Sequence, residues 1–542
     1  MLFTQAGIRL PPNAMRDQWS NIALGALVAQ IPFELRYTLF GLSNLQWTFI
    51  VLVVTSASLL FENRQRLLND RLVQAAALFV GIQWLAVVYA PEFHTNALKG
   101  AIRFTAGLLL LAIARISNKH QSVGRVWVIS SVFAAIYALV AYAGFGFTWL
   151  FRTEEFYIGQ IFQRLSGSFE YPNTAAAYFA LSLPIVWWSS FRPALRSVFV
   201  FLLWCAIVLT FSKGALAAIP VVVLGGAIFS HSDAAGWKTG AAFLAIGVVA
   251  YGVLLPLQPY LWERPHGPNV QSPIAAEYTT PWNKLQEQPG TYGQIPLQIR
   301  NTGVTKWRSQ GWWRVAVGYR WWNAETETFL KVMPFITKLP RDVNPGETVA
   351  IPAAFQTPKE PGRYILVLEL FSSNLHWFSQ TGVVPTLIQA DIHPSISRAV
   401  GQTDLSSFYR KEQTPGRLTA SVPRSSLWTA AFRIFIAHPF GVGPDNFRLQ
   451  YGKYLGASGW DTDVYSNNLY LELLAGSGIL GLAAFGLMLA AKPWQFEPSC
   501  LAIAVFLVHG LVDFFLMTTP IYFAFWLLIG FSNSMSRPAV RN

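Results

Sequence analysis

Residues 470–491 read YLELLAGSGILGLAAFGLMLAA, twenty-two positions with a single charge, Glu472. A helix needs about 20 apolar residues to cross the hydrocarbon core. It also satisfies its backbone polar groups internally, as lipid demands. The stretch is therefore a membrane helix. Working outward, 496–512 and 518–533 read alike, and nine segments precede residue 258: 19–35, 45–61, 72–90, 97–116, 124–144, 173–190, 194–212, 214–230 and 239–257. The first is short and carries Pro32. Only 12% of the 542 residues are charged and 53% are hydrophobic. An ordinary soluble protein carries about 25% charge, so a soluble cytosolic enzyme is excluded. The predicted fold class is an α-helical polytopic membrane protein of about 12 transmembrane helices, interrupted by an inserted all-β sandwich domain.

Forty basic against 27 acidic residues give a net charge of +13. In so apolar a chain the surplus reads as positive-inside anchoring, not as nucleic-acid binding. With the N-terminus in the cytoplasm, the cytoplasmic segments hold Arg9, Arg16, Arg64, Arg66, Arg71, Arg115, Lys119, Arg125, Arg192, Arg196, Lys238, Lys492, Arg537 and Arg541. The short opposite loops hold mainly Arg36, Lys99, Arg152 and Arg164. Both termini are thus expected in the cytoplasm and 258–425 outside it. No cleavable signal peptide is evident, and the first apolar stretch reads as a membrane helix. Cys205 and Cys500 lie in apolar runs, without metal-ligand neighbours at useful spacing.

The expected organisation is an N-terminal membrane block over 1–257, an insertion over 258–425 and a C-terminal membrane block over 426–542. Within the insertion, alternating runs at 294–300, 314–321, 348–355 and 363–371 are separated by turn signals such as Asn344-Pro345-Gly346 and Pro361-Gly362. That punctuation predicts a β-sandwich over about 285–392. Its Asn301-Thr302-Gly303-Val304-Thr305-Lys306-Trp307 run, with Tyr319-Arg320-Trp321-Trp322 and Trp377-Phe378-Ser379, resembles immunoglobulin-like modules found beside bacterial polysaccharide enzymes. Trp307, Trp312, Trp313, Trp321, Trp322 and Trp377 suit a sandwich core first and sugar stacking second. Residues 393–425 read as a mobile basic linker, and Ser426–Ala437 as an amphipathic interfacial helix.

In this topology the segments at 97–116, 173–190, 214–230 and 470–491 begin on the outer side. A helix N-terminus favours anions through its unpaired N–H groups and partial positive charge. Yet Lys99 and Arg103 sit in the first turns of 97–116, Lys213 opens 214–230 behind Ser212, and Arg164 lies just before Pro172-Asn173-Thr174. A cation within a membrane helix costs roughly 2.5–3.5 kcal/mol on insertion scales. Several at one level are explained by an anion bound among them. Snorkelling to headgroups is the alternative for each alone.

Two segments are more specific. One is Arg164-Leu165-Ser166-Gly167-Ser168-Phe169-Glu170-Tyr171-Pro172-Asn173-Thr174-Ala175. The other is His438-Pro439-Phe440-Gly441-Val442-Gly443-Pro444-Asp445-Asn446-Phe447, followed by Tyr465-Ser466-Asn467-Asn468-Leu469-Tyr470-Leu471-Glu472 and Gly476-Ser477-Gly478-Ile479-Leu480-Gly481. Together with Ser212-Lys213-Gly214 they resemble the O-antigen ligase and polymerase family of bacterial envelope enzymes. That resemblance covers both membrane blocks and leaves out the sandwich. It implies a glycosyltransferase at the periplasmic face of the bacterial inner membrane. The donor would be a glycan on a polyprenyl pyrophosphate and the acceptor a hydroxyl of a glycan, lipid or protein, with no metal or nucleotide cofactor.

By the same resemblance Arg164, Lys213 and Arg103 would hold the donor, and Asn173 would position the chain or cap its helix; Lys99, four residues before Arg103 on one face, is a further substrate-binding candidate. Asn468 and Glu472 join them as substrate-binding candidates, Glu472 equally as a helix-start charge. Family ligases carry a His before the Asn of the late motif, and here that slot is Asn467, which cannot take a proton at pH 7. Asp461, Asp463 and Tyr465 are the candidate bases. His438 reads as a turn residue, and His509 with Asp513 as a polar contact between helices. A flippase for lipid-linked glycans and a non-catalytic assembly protein remain as alternatives.

Overall fold

A computed structural model describes the chain except for residues 1–11, 148, 152–156, 159–161, 230–233, 258–260, 262–274, 304–305, 310–313, 331–336, 373–375, 382, 396, 402–416, 419–421, 458, 495–496 and 532–542. Arg9, Arg152, Trp312, Trp313, Arg410, Lys411, Arg537 and Arg541 lie outside the described residues. The chain divides into two units. A helical unit comprises Met1–Phe156, Arg164–Leu254 and Val422–Asn542, and a β unit comprises Tyr157–Gln163 and Leu255–Ser421.

In the helical unit a helix occupies each apolar segment. Before the insertion come α1 (Pro12–Gln30), α2 (Asn44–Glu62), the short α3 (Arg64–Leu68), α4 (Arg71–Tyr89), α5 (His94–Ile116), α6 (His120–Val140), α7 (Pro172–Trp187), α8 (Pro193–Leu209), α9 (Lys213–Phe229) and α10 (Ala234–Leu254). After it come α11 (Arg424–Ala437), α12 (Phe447–Tyr454), α13 (Leu469–Ala491), α14 (Pro498–His509) and α15 (Thr519–Gly530). Five helices among the described residues are long and apolar enough to cross a membrane: α2, α4, α5, α6 with its continuation to Phe145, and α13. Five shorter apolar helices lie within α8, α9, α10, α14 and α15.

Local chemistry sets several boundaries. Ser43 starts α2 through a capping box with Gln46. Asp70 caps α4 by accepting from the Leu72 and Val73 N–H groups, and also accepts from Arg115 Nε at 2.9 Å, tying α4 to the end of α5. Lys492 is not a solvated anchoring cation. It is buried, and its Nζ donates to the Phe531 carbonyl at 3.0 Å beyond α15, where a helix C-terminus favours positive charge.

The glycines of 476–481 have a mechanical role. Helix α13 is interrupted at Gly478, whose φ is +65°. Residues 439–443 run alongside as a strand would: Val442 N–H donates to the Ala475 carbonyl, Gly443 N–H to Gly476, and Ile479 N–H to Pro439. A β-carbon at Gly478 would stand 2.2 Å from the Pro439 oxygen, and one at Gly441 would stand 2.4 Å from the Gly476 oxygen. Only glycine allows both the close approach and the left-handed backbone. Gln83 of α4 closes the other side by donating to Ser477 Oγ at 3.0 Å.

The β unit contains β1 (Ala276–Thr279), β2 (Lys284–Glu287), β3 (Tyr292–Asn301), β4 (Val315–Asn323), β5 (Thr328–Phe329), β6 (Thr337–Lys338), β7 (Thr348–Gln356), β8 (Gly362–Ser372), β9 (His376–Trp377), β10 (Thr386–Ile392) and β11 (Ala399–Gly401). One sheet runs β11-β2-β10-β8-β4-β5, with β9 on β8 and β6 on β4; the other runs β1-β3-β7. The β2–β10 pair is parallel. Strict alternation in β3 and β7 buries Ile295, Leu297, Ile299, Val349, Ile351 and Phe355 in a core shared with Trp307 and with Trp321, Leu366 and Leu368 of the larger sheet. The two sheets thus pack face to face, as alternation of this kind requires.

The region is wider than expected. Strand β1 precedes 285, and β11 falls in what the sequence suggests is mobile linker, because Ala399–Gly401 pairs with β2 and covers its open edge. Helix α11 begins two residues before Ser426. It buries Leu427, Ala430, Ala431 and Ile434 and exposes Phe432 and Ile436.

Candidate functional site

The starts of α5 and α7, the approach to α9, the loops before α12 and α13, and the turn between α14 and α15 supply three sets of polar contacts within the helical unit. The first part forms around Asp445. Its φ is +67°, a left-handed conformation that Asp visits more readily than most residues. The carboxylate accepts from Arg448 Nε at 3.1 Å and Nη2 at 3.0 Å. It also accepts from Asn96 Nδ2 at 3.0 Å. Neighbouring Asn446 is fully buried, and its amide donates to the Val442 carbonyl at 2.7 Å and the Glu92 carbonyl at 3.1 Å, fixing the loop to the start of α5. Arg448 Nη1 reaches the Thr462 carbonyl at 3.0 Å. Its guanidinium lies 6.0 Å from the centre of the Tyr465 ring. Asp445 holds Arg448 more firmly protonated than usual.

The second part is Arg103, two turns into α5. It donates to the Met517 carbonyl at 2.7 Å and stacks over Tyr522, 4.7 Å from the ring centre. Its Nε is buried and has no hydrogen-bond partner among the described residues. Asp445, Tyr465 and Glu34 lie within its electrostatic reach. Gly107, one turn on, has no side chain because Tyr522 and Trp526 of α15 fill that space.

The third part is a chain of four side chains. Arg164 donates through Nε to the Thr210 carbonyl and through Nη2 to Asn173 Oδ1, both at 2.7 Å. Asn173 Nδ2 donates to Asp513 Oδ2 at 2.8 Å. Arg424 Nη2 lies 3.8 Å from that same oxygen, and the Phe514 N–H donates to Oδ1 at 2.9 Å. Burial brings Arg164 down to about 10, opposed by the nearby Asp513. Burial raises the proton affinity of Asp513, against the pull of Arg424. The first and third parts meet where the Tyr465 and Phe514 rings pack, 5.6 Å between centres. Burial, then the neighbouring Asp445, pushes the Tyr465 hydroxyl well above the ordinary phenol range.

Arg164 and Asn173 therefore share one hydrogen-bonded chain with Asp513, Tyr465 packs beside it through Phe514, and Arg103 makes its own contacts with Met517 and Tyr522. Asn173 does not cap its helix. Pro172 takes the first helical position after Tyr171, and the Asn173 amide bridges Arg164 to Asp513 instead. Lys213 opens α9 as an exposed residue three positions after Thr210. Beside it Gly214 packs against buried His509. Lys99 is exposed, and among the described residues it makes no hydrogen bond or ion pair. Asp461 and Asp463 lie on an exposed turn in which the Asp463 N–H donates to Asp461 Oδ1 at 2.9 Å.

Asn468 caps α13, accepting from Tyr470 and Leu471 N–H and donating to the Leu511 carbonyl. Glu472 is buried and accepts from the Ser466 N–H at 2.8 Å, which shapes the loop carrying Tyr465. Asn467 has φ +52°, a backbone that asparagine tolerates. His438 ends α11 and bonds Tyr454 at 2.9 Å. Asp513 makes its interhelix contacts with Asn173 and Arg424, and His509 rests against Gly214 and Phe515.

Asn96, Asp445, Arg448, Arg424 and the central place of Asp513 escape sequence reasoning. Asp445 is visible inside the His438–Phe447 motif, but its partner Asn96 lies 349 residues away. No group of three or more His, Cys, Asp or Glu residues is placed to hold a metal ion among the described residues.

Residues 374–486 match the family model described as O-Antigen ligase. The match runs from the end of the β unit, which the sequence resemblance leaves out, through the 438–446 loop and α12 into α13. No curated protein matches the chain. Among solved structures, the chain aligns with the Pseudomonas fluorescens alkylpurine DNA glycosylase AlkC bound to DNA containing an abasic site analog. The identity is 11%, the alignment covers 70% of this chain and 98% of that one, and the TM-score is 0.22. A likeness that weak carries no argument.

Proposed function

We propose that the protein is a glycosyltransferase of the O-antigen ligase or polymerase type. In this reading it moves a glycan from a polyprenyl pyrophosphate to an acceptor hydroxyl at the periplasmic face of the bacterial inner membrane. The coarse statement rests on the family match over 374–486, which implies lipid-linked glycan substrates. The finer one rests chiefly on one observation: two half-buried arginines from separate parts of the chain, Arg103 and Arg164, lie in α5 and just before α7, each with carboxylates in electrostatic reach, Asp445 and Glu34 for Arg103 and Asp513 for Arg164. All twelve helices on apolar segments are read as spanning, with both termini cytoplasmic, and the β unit as an immunoglobulin-like periplasmic domain.

In the reaction the acceptor oxygen attacks the anomeric carbon. The bond from that carbon to the pyrophosphate oxygen breaks, and the polyprenyl pyrophosphate leaves with the electron pair. Charge grows on the leaving group, so fixed cations and helix N-termini aimed at it stabilise the transition state more than the ground state. Arg103 and Arg164 hold the pyrophosphate, with Lys213 at the rim. Asn467 stands where family ligases carry His, so the acceptor's proton needs another destination. Asp513 suits that role better than the exposed Asp461 and Asp463, because burial raises its proton affinity and general bases need such tuning. Tyr465 keeps its proton and orients the acceptor.

Purified protein in liposomes, given a polyprenyl-pyrophosphate glycan and an acceptor, tests this. The expected result is transfer that falls by about 100-fold in Arg164→Ala, the loss typical of removing one donor to developing charge, with melting temperature preserved. Movement of the intact lipid-linked glycan across the bilayer, with no bond cleaved, would indicate a transporter instead.

A further inference from the structure

Far from this region, where α7 ends and α8 begins, a cavity of about 360 Å³ is lined by Trp187, Trp188, Pro193, Arg196, Lys238 and Ala242. Asn173 and Trp187 stand at opposite ends of α7, separated by fourteen residues, or about 21 Å of helix rise. The cavity is therefore at the opposite end of α7 from Asn173. Its composition is unusual: two cations beside two indoles. Arg196 spends Nη1 on the Trp187 carbonyl at 2.9 Å, while its Nε is buried and has no hydrogen-bond partner among the described residues. Lys238 is exposed. Among the described residues no acidic side chain lines the cavity to neutralise either cation.

We propose that this cavity binds the phosphate-bearing headgroup of an anionic phospholipid in the leaflet opposite the candidate site. Arg196 and Lys238 would meet the phosphate, as basic pockets between membrane helices on the cytoplasmic side do. Trp187 and Trp188 would lie at the level of the glycerol esters, where amphipathic rings settle. The buried Nε of Arg196 gains its missing acceptor. A soluble phosphate offers the same charge but no apolar body to set against the indoles, which favours the lipid. The proposal rests on α7, α8 and α10 crossing the membrane and is independent of any transfer activity.

Native mass spectrometry of the full-length protein with phosphatidylglycerol and phosphatidylethanolamine tests it. The wild-type protein is expected to retain phosphatidylglycerol preferentially. The double variant Arg196→Gln with Lys238→Gln is expected to lose it by roughly 30-fold, from about 1 kcal/mol for each of the two basic residues near an anionic surface. Because the double variant could unfold, a headgroup-photoactivatable phosphatidylglycerol is added to the wild type, and crosslinks should map to 187–196. Equal retention by a folded double variant, crosslinks confined to other segments, or displacement of the lipid by inorganic phosphate would each overturn the proposal.

Discussion

In the proposed reaction Asp513 is the residue that takes the acceptor's proton. Its carboxylate accepts from Asn173, faces Arg424 and is raised in proton affinity by burial. A raised carboxylate takes up its proton at a higher pH than an ordinary one. Transfer is therefore expected to fall on the acid side, with a midpoint above the usual carboxylate value near 4. Asp513→Asn keeps the Asn173 contact in outline but removes the proton acceptor, so its activity should be low and flat over that range. A pH–rate profile of both proteins checks this, and an unchanged acid limb in the variant would remove Asp513 from the role. The contrast with Arg164 separates base from binder. Arg164→Ala should lose transfer yet keep an acid limb, moved to higher pH because a cation that lowers Asp513 is gone. Neither residue's role was fully legible in the sequence. Arg164 stands out because a cation before a membrane helix is costly. Asp513 reads as one end of a local His509 pair, since its true partners are 340 residues upstream for Asn173 and 89 upstream for Arg424. Distance along the chain hides such contacts, whereas an insertion penalty is local.

At the scale of elements, the sequence discloses what periodicity encodes. The strands expected at 294–300, 348–355 and 363–371 appear within β3, β7 and β8, and all but the first residue of 314–321 within β4, because alternation fixes which face is buried. What it cannot encode is an edge strand such as β11, whose position depends on pairing with β2. The break in α13 also escapes it: a run of apolar residues reads as one helix whether or not a loop is hydrogen-bonded into it. Gly478→Ala tests that join, because a new β-carbon meets the Pro439 oxygen at 2.2 Å in a left-handed backbone. A loss of about 2 kcal/mol or more is expected from strain alone, read as a lower melting temperature together with weakened transfer. In the β unit, Glu369 is fully buried, receives the Ser379 N–H at 2.8 Å and pairs with Arg320. Arg320 is itself packed between Phe329 and Trp377. Glu369→Ala leaves that arginine without its anion and should cost about 3–5 kcal/mol, measured by tryptophan fluorescence during denaturation. Asp342, held by the Ser309 N–H and then by Lys306, is lowered to about 2. Its contribution is complete above the unfolded value near 4 and disappears as pH falls towards 2. Asp342→Asn should lessen the acid sensitivity of the β unit in that window.

For the whole molecule, the account makes a single demand. In the proposed reaction, cations that burial makes expensive recover their cost from a bound anion, the pyrophosphate of a lipid-linked glycan. The decisive measurement is equilibrium binding of polyprenyl pyrophosphate to the purified protein, compared with Arg103→Ala and Arg164→Ala variants that melt normally. The account predicts that each substitution weakens binding by at least about tenfold, as losing a charge-assisted bond of 1.5–3 kcal/mol requires, and that polyprenyl monophosphate binds less tightly than the pyrophosphate. Equal affinity of all three proteins for the pyrophosphate lipid would contradict it.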